Sequence, residues 1–422
     1  MLNKLKPTSE FSRNVLTLMT GTTIAQAIPI AISPILTRIY TPEDFGVFAL
    51  FIAATSIFGS IANGKYELAI MLPKKDEDAI NIFALGFIIN ITISLSSLLI
   101  IIVFHDYILK LLNNQEISHW LYFIPFSIFL IGCFNLLNYF NTRIKQYKDL
   151  AKTSIYKSIA ASIIQLSLGF LKAGALGLIS GQIISQIVSN TKLFLNVKKL
   201  KLFKHMKKIK IIALAKKYKK FPLFSLPNAI VDGIREQGFN ILLPIIFSMA
   251  TLGQFYLAQR MLKMPISVIA GSISQVLLQK MSVSKSYQLY ELYISFLKKS
   301  VLVSALIFLM IYFFSVDIFT IIFGENWKLA GEIASILSPW MFLSFITTPL
   351  ANIFIILQKQ EVVLLYAIIY AIIPISLILF SENDFIAMIK LLSFLMTFVL
   401  VLFLIHIHIT LSILRSRKND AS

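Results

Sequence analysis

The chain has 422 residues, 57% of them hydrophobic and 14% charged, with a formal net charge of +19 and a mean hydropathy of +0.80. Soluble domains run nearer about a quarter charged, so this composition excludes a water-dispersed globule and leaves an integral membrane protein. The apolar runs are continuous rather than short and alternating, which favours helices over a β-barrel.

A helix needs about 20 apolar residues to cross the hydrocarbon. The hydropathy pattern predicts an all-α membrane protein with twelve spans, at 14–36, 46–71, 80–104, 119–140, 153–172, 174–195, 223–247, 254–279, 294–322, 331–357, 362–380 and 385–411. Lys4, Lys6 and Arg13 precede a full-length first span, which reads as an uncleaved helix. That span carries Thr22, Thr23 and Gln26, polar groups suited to meeting sugar hydroxyls from a cavity.

At the start of span two, Thr41 is placed to cap the helix, Pro42 suits its first turn, and Glu43 and Asp44 favour the positive end of its dipole. Gly46 permits close helix packing, and Arg38 reads as an anchor to headgroups. Lys65 and Glu67 lie towards the inner end of the span. Their i, i+2 spacing places them on different helix faces, so they are not expected to pair. Pro73 helps end the span, and Asp76, Glu77 and Asp78 favour the start of span three. Cys133 is the single cysteine, which excludes an intramolecular disulfide and a cysteine-based metal site. Lys157 and Lys192 lie close to inner ends and read as snorkelling anchors.

Between spans six and seven, residues 196–222 carry eleven lysines among apolar residues such as Phe203, Met206, Ile209 and Leu214. That pattern suits a helix lying on an anionic leaflet, and it also suits a solvated linker. It divides the chain into residues 1–200, a basic linker at 201–220, and residues 221–422, with six spans on either side.

Span seven holds Asp232, Arg235 and Glu236 at i, i+3 and i+4 on one face, so Arg235 can bridge both carboxylates. One charge at a helix centre costs roughly 2.5–3.5 kcal/mol on insertion scales, which makes these positions functional candidates. Span eight carries Arg260 and Lys263 one turn apart, roughly 9–14 Å below its outer end at ~1.5 Å per residue. Arg235, Arg260, Lys263 and Lys65 stand against Asp232, Glu236 and Glu67, four cations against three carboxylates, a match for an anionic substrate. A neutralised cluster that only locks helices together remains the plainer reading. His406 and His408, at i, i+2, point to different faces and do not suggest a metal site.

The 39 Lys and Arg residues divide unevenly between the two sides. With a cytoplasmic N-terminus, the cytoplasmic segments and adjoining helix ends hold 28 and the opposite side holds four, Arg38, Lys110, Lys172 and Lys328. The other seven lie within spans. This positive-inside asymmetry places both termini in the cytoplasm and explains the basic balance without nucleic acid. A shift of 207 residues lays PEDFGVFAL (42–50) over MATLGQFYL (249–257), with Gly46 on Gly253, Phe48 on Phe255 and Leu50 on Leu257. Two six-span halves of one orientation are expected to be related by a pseudo-two-fold along the membrane normal, with a substrate site between them.

The stretches SPILTRIYTPEDFGVFALF (33–51) and NGKYELAIMLPKKDEDA (63–79) resemble the start of the polysaccharide flippases, the Wzx-type O-antigen exporters of the multidrug/oligosaccharidyl-lipid/polysaccharide exporter superfamily. The likeness is sharp over residues 14–80 and looser beyond. Lys65 stands where the family pattern often has Arg, which keeps the cation without the bidentate fork. The resemblance implies a V-shaped pair of six-helix lobes in the bacterial inner membrane. It further implies movement of an undecaprenyl-pyrophosphate-linked oligosaccharide to the outer leaflet for lipopolysaccharide synthesis, with a polymerase and a chain-length regulator as partners. On that reading Arg235, Arg260, Lys263, Lys65, Gln26 and Thr22 meet the substrate. Asp232, Glu236 and Glu67 are the candidates for Na⁺ or H⁺ coupling, and no cofactor is expected. Two other classes remain. A cation-coupled drug antiporter would want a more acidic cavity. A membrane enzyme that polymerises or transfers sugars would want a sizeable outer loop, a nucleophile triad, a metal-spaced cluster or a phosphate loop, none of which stands out.

Overall fold

The computed structural model describes residues 10–112, 117–282, 284, 286–380 and 384–419, and all regular structure among them is helical. The chain forms two compact units, Met1–Gly253 and Gln254–Ser422. Each of the twelve predicted spans falls on helix.

The first unit opens with α1 (Glu10–Ala31) and α2 (Ser33–Ile39). Pro29 and Pro34 each remove an N–H from the helical ladder, and the helix breaks between them at Ile32. Helix α3 (Pro42–Ile61) begins as the sequence predicts. Thr41 accepts from the Asp44 N–H, Asp44 accepts in return from the Thr41 N–H, and Pro42 occupies the first turn. Next to this cap, Tyr40 donates to the Gln165 carbonyl at 2.6 Å. Burial, together with the nearby Asp44 charge, pushes its hydroxyl up to about 12, so it stays a neutral donor.

Span two does not run unbroken to residue 71. Helix α3 ends at Ile61, Gly64 and Lys65 take left-handed conformations with φ of 60° and 61°, and a 3₁₀ helix covers Tyr66–Met71. Gly64 reaches that region without strain, and the turn carries Lys65 with it. Helix α4 (Asp76–Leu112) then starts on its three acidic residues. After it come α5 (Ser118–Leu121), α6 (Ile124–Arg143), α7 (Tyr147–Phe170) and α8 (Ala175–Lys199). Asparagine side chains stitch these helices together by donating to neighbouring backbones: Asn63 to Gly132 O, Asn90 to Phe129 O, Asn141 to Leu193 O and Asn190 to Leu130 O. Such interhelical bonds are worth about 0.6 kcal/mol each in a membrane, and they fix register.

The lysine-rich segment forms α9 (Lys208–Lys217). One face of α9 closes the end of the unit. Leu214 joins a core of Ile70, Ile80, Leu136, Phe140 and Leu193, and Lys210 reaches Glu77 and Asp78 at 3.4 Å each. The other face carries Ile209 and Ile212, both exposed. A π-helical turn at Phe221–Ser225 leads into α10 (Leu226–Ile246), which packs against α3. Helix α11 begins at Met249 and runs to Pro265.

The 207-residue repeat has a physical counterpart. A Cβ on Gly46 would strike the Met249 carbonyl oxygen, and a Cβ on Gly253 would strike the Pro42 carbonyl oxygen. Met249 and Gly253 are the repeat equivalents of Pro42 and Gly46, so the two matched segments make reciprocal contacts.

The second unit holds the rest of α11, then α12 (Gly271–Ser282), α13 (Ser286–Phe323), α14 (Lys328–Leu350), α15 (Asn352–Ile356), α16 (Gln360–Leu379) and α17 (Phe385–Asn419). Helix α14 packs between α13 and α17 over Leu289, Tyr293, Ile346, Leu350, Phe354 and Ile407. Gln254 clamps the start of α14, donating to Asn326 O and accepting from Ala330 N. His408 lies against Tyr290 and Tyr293 while His406 lies against Phe354 and Tyr366, the separate faces expected from their spacing.

Among the described residues, eight helical stretches are long and apolar enough to cross a membrane on length and composition alone. Their exposed surfaces are rich in large apolar side chains such as Leu99, Val103, Leu306 and Phe313, an outer surface suited to lipid rather than water. The chain is a multi-pass membrane protein. The other four predicted spans, on α7, α8, α10 and α11–α12, are helical but more polar. Most of the site candidates lie on them.

Candidate functional site

Three groups of candidate residues fall in the first unit. The first is on α10. Arg235 Nη2 lies 3.2 Å from Asp232 Oδ1 and 3.8 Å from Glu236 Oε1, so the bridge expected from the spacing forms. Asn228 holds the other Asp232 oxygen at 3.2 Å. Asp232 and Glu236 share a helical face with the buried residues Phe239 and Leu243 further along α10, and Arg235 flanks that face. Asp232 and Glu236 are 48% and 67% exposed, which separates them from a sealed core ion cluster. Both ion pairs run through one nitrogen of the guanidinium. Its Nε and Nη1 make no hydrogen bond among the described residues, which leaves donors for an anion.

The second group is Lys65 and Glu67. They do pair, with Lys65 Nζ 3.8 Å from Glu67 Oε1, contrary to the expectation from sequence. The i, i+2 rule assumes a continuing α-helix, and the left-handed turn at Gly64–Lys65 replaces it. Glu67 is 3% exposed, and its Oε2 has no hydrogen-bond partner. Asn63 Oδ1, also buried, lacks one too. A buried carboxylate with one satisfied oxygen is an energetic liability that invites a small cation or a proton. Tyr66 closes the region by donating to Ala215 O of α9 at 3.1 Å.

The third group lines a cavity of about 360 Å³ between α1, α6, α7 and α8. Thr22 and Gln26 are on its wall. So is Lys157, for which the sequence predicts a snorkelling anchor. Helix α7 starts at Tyr147, which puts Lys157 about 15 Å along it at ~1.5 Å per residue. Its ammonium stands 4.9 Å from the centre of the Phe134 ring. No carboxylate lies within ion-pair distance of it among the described residues. Lys192, the other lysine given an anchoring role, instead sits 3.8 Å from Asp149.

Arg260 and Lys263 are on α11 in the second unit, Arg260 partly buried and Lys263 exposed. The described residues hold no group of three or more His, Cys, Asp or Glu side chains placed to bind a metal ion.

Residues 35–331 match the family model described as polysaccharide biosynthesis protein. No curated protein sequence matches the chain. Among solved structures, it is similar to a multidrug resistance MATE family transporter of the MOP superfamily in its inward-facing conformation. That match has a TM-score of 0.69 and 12% identity over 94% of this chain and 96% of the other. It is also similar to the lipid II flippase MurJ in an inward closed conformation, with a TM-score of 0.67 and 14% identity over 95% and 90% of the two chains. A MOP superfamily transporter from Pyrococcus furiosus matches with a TM-score of 0.60 and 12% identity over 95% and 96%. At these identities the likeness concerns the fold, which is that of MOP-superfamily transporters.

Proposed function

The chain belongs to the polysaccharide biosynthesis protein family, and on that premise we propose that it is a flippase for an undecaprenyl-pyrophosphate-linked oligosaccharide, such as an O-antigen repeat unit. It works in the bacterial inner membrane with both termini cytoplasmic. Alternating access admits the headgroup from the cytoplasmic side while the lipid tail stays in the bilayer, then opens outward. Arg235, Arg260, Lys263 and Lys65 meet the pyrophosphate, and Thr22 and Gln26 meet sugar hydroxyls. A polymerase and a chain-length regulator act on the product downstream.

The observation that carries this reading is Arg235. Two carboxylates hold its guanidinium by one nitrogen and leave donors for an anion. A phosphate oxygen pair matches the guanidinium in geometry. For coupling to Na⁺ or H⁺, Glu67 is favoured over Asp232 and Glu236. Its carboxylate is buried with one oxygen unpartnered, whereas those two are exposed and paired to Arg235.

The test is translocation of a labelled lipid-linked oligosaccharide in liposomes holding the purified protein. Arg235→Ala and Arg260→Ala are each expected to slow it by about 10- to 100-fold, the loss of one charge-assisted contact of about 1.5–3 kcal/mol. Wild-type rates in both variants would remove these residues from the site. Extrusion of a cationic dye without movement of the oligosaccharide would replace the flippase by a drug antiporter.

A further inference from the structure

The cavity between α1, α6, α7 and α8 has a chemistry of its own. Its hydroxyls have already used their hydrogens. Thr22 donates to Met19 O at 2.9 Å, Ser154 to Leu150 O at 3.1 Å, Ser158 to Ala25 O at 2.7 Å and Ser185 to Gln182 O at 2.7 Å. A hydroxyl has one hydrogen and two lone pairs, so all four face the cavity as acceptors. Against them stands one full positive charge, Lys157, with no carboxylate to neutralise it and only the Phe134 ring beneath it. Gln26 and Gln182 add amides to the wall. The cavity volume of about 360 Å³ falls in the size range of small-molecule sites.

We propose that this cavity is a subsite for a sugar bearing one carboxylate, with the carboxylate on Lys157 and the sugar hydroxyls donating to the four serine and threonine oxygens. The proposal rests on the flippase reading above and gives it a substrate class, an oligosaccharide with an acidic sugar. A phosphate is disfavoured at this point. It presents acceptors in every direction, and so do the four hydroxyls, while Lys157 is a single point charge with no fork to grip it. A neutral sugar would leave the ammonium without a counter-charge in a low-dielectric interior. An acidic sugar satisfies the lysine and the hydroxyls together.

The experiment is direct binding of glucuronate and glucose to the full chain in lipid nanodiscs, read by saturation-transfer NMR and calorimetry. Wild-type protein is expected to prefer glucuronate by about tenfold or more, the value of one charge-assisted hydrogen bond. Lys157→Met should abolish the preference, while Lys157→Arg should keep it. Lys157→Arg also serves as the folding control, since it changes the same position and keeps the charge. Equal binding of the two sugars by the wild type, no binding of either, or a preference that survives Lys157→Met would overturn the proposal. Liposome translocation separates the two claims. Oligosaccharide movement without glucuronate preference leaves the flippase standing and removes the subsite. Preference lost in Lys157→Met, in a chain that moves no oligosaccharide, keeps the subsite and removes the flippase.

Discussion

Lys65 and Glu67 show how one backbone torsion reverses a side-chain argument. Two residues apart on a helix, they would point about 200° from each other. The left-handed turn at Lys65 brings them to 3.8 Å and seats Glu67 at 3% exposure. Lys65→Met would strand that carboxylate. It is expected to lower stability by about 1–3 kcal/mol, less than for a fully buried pair because Lys65 is partly exposed. A lower midpoint of thermal denaturation in detergent would show it, and an unchanged midpoint would deny the pair any structural weight. Glu67→Gln keeps the shape and removes the ionisable group. If Glu67 couples transport to an ion, liposomes under an imposed Na⁺ or H⁺ gradient should lose the gradient's effect while downhill exchange continues. A full gradient response in the variant would take Glu67 out of the coupling step. The residue types at 65 and 67 were plain in the sequence, but their pairing was not, because a Gly-Lys turn inside an apolar run reads as continuous helix.

At the level of elements, local signals proved readable and contacts between helices did not. The cap at Thr41 is read from four consecutive residues, and Thr41→Ala is expected to cost about 1 kcal/mol in detergent-solubilised stability. Gly46 was assigned to close packing, but its partner could not be known. That partner is the Met249 carbonyl, matched by Gly253 against the Pro42 carbonyl. Gly46→Ala and Gly253→Ala must therefore move backbone and should each destabilise by about 1–3 kcal/mol. Gly271 supplies the contrast. A Cβ there meets nothing nearer than the Ile266 carbonyl oxygen at 4.0 Å, so Gly271→Ala should be neutral or stabilising by up to about 1 kcal/mol. Equal effects at all three glycines would leave the reciprocal contact without energetic meaning. The basic linker likewise showed its lysines and apolar residues in sequence, while the seating of α9 on α4 through Leu214 and Lys210 depended on a surface built more than a hundred residues earlier.

For the whole molecule, orientation is the open physical question, and it can be measured simply because Cys133 is the only native cysteine. In a Cys133→Ala background, an impermeant maleimide applied to intact cells should label Lys110→Cys and not Lys204→Cys. The reverse pattern would overturn the positive-inside assignment. The sequence by itself determined a helical membrane protein and the approximate positions of its helices. Hydrophobic length and charge asymmetry are properties of the chain, and water and lipid sort them the same way whatever the packing. The tertiary structure alone decided which polar groups meet. It put Lys157 on a cavity wall, gave Glu67 a lysine and one unpartnered oxygen, and left Arg235 donors for an anion beside its two carboxylates. Hydropathy is summed along a segment and cannot encode these outcomes. A buried charge is decided by the few atoms within reach of it, and those atoms come from helices far apart in sequence.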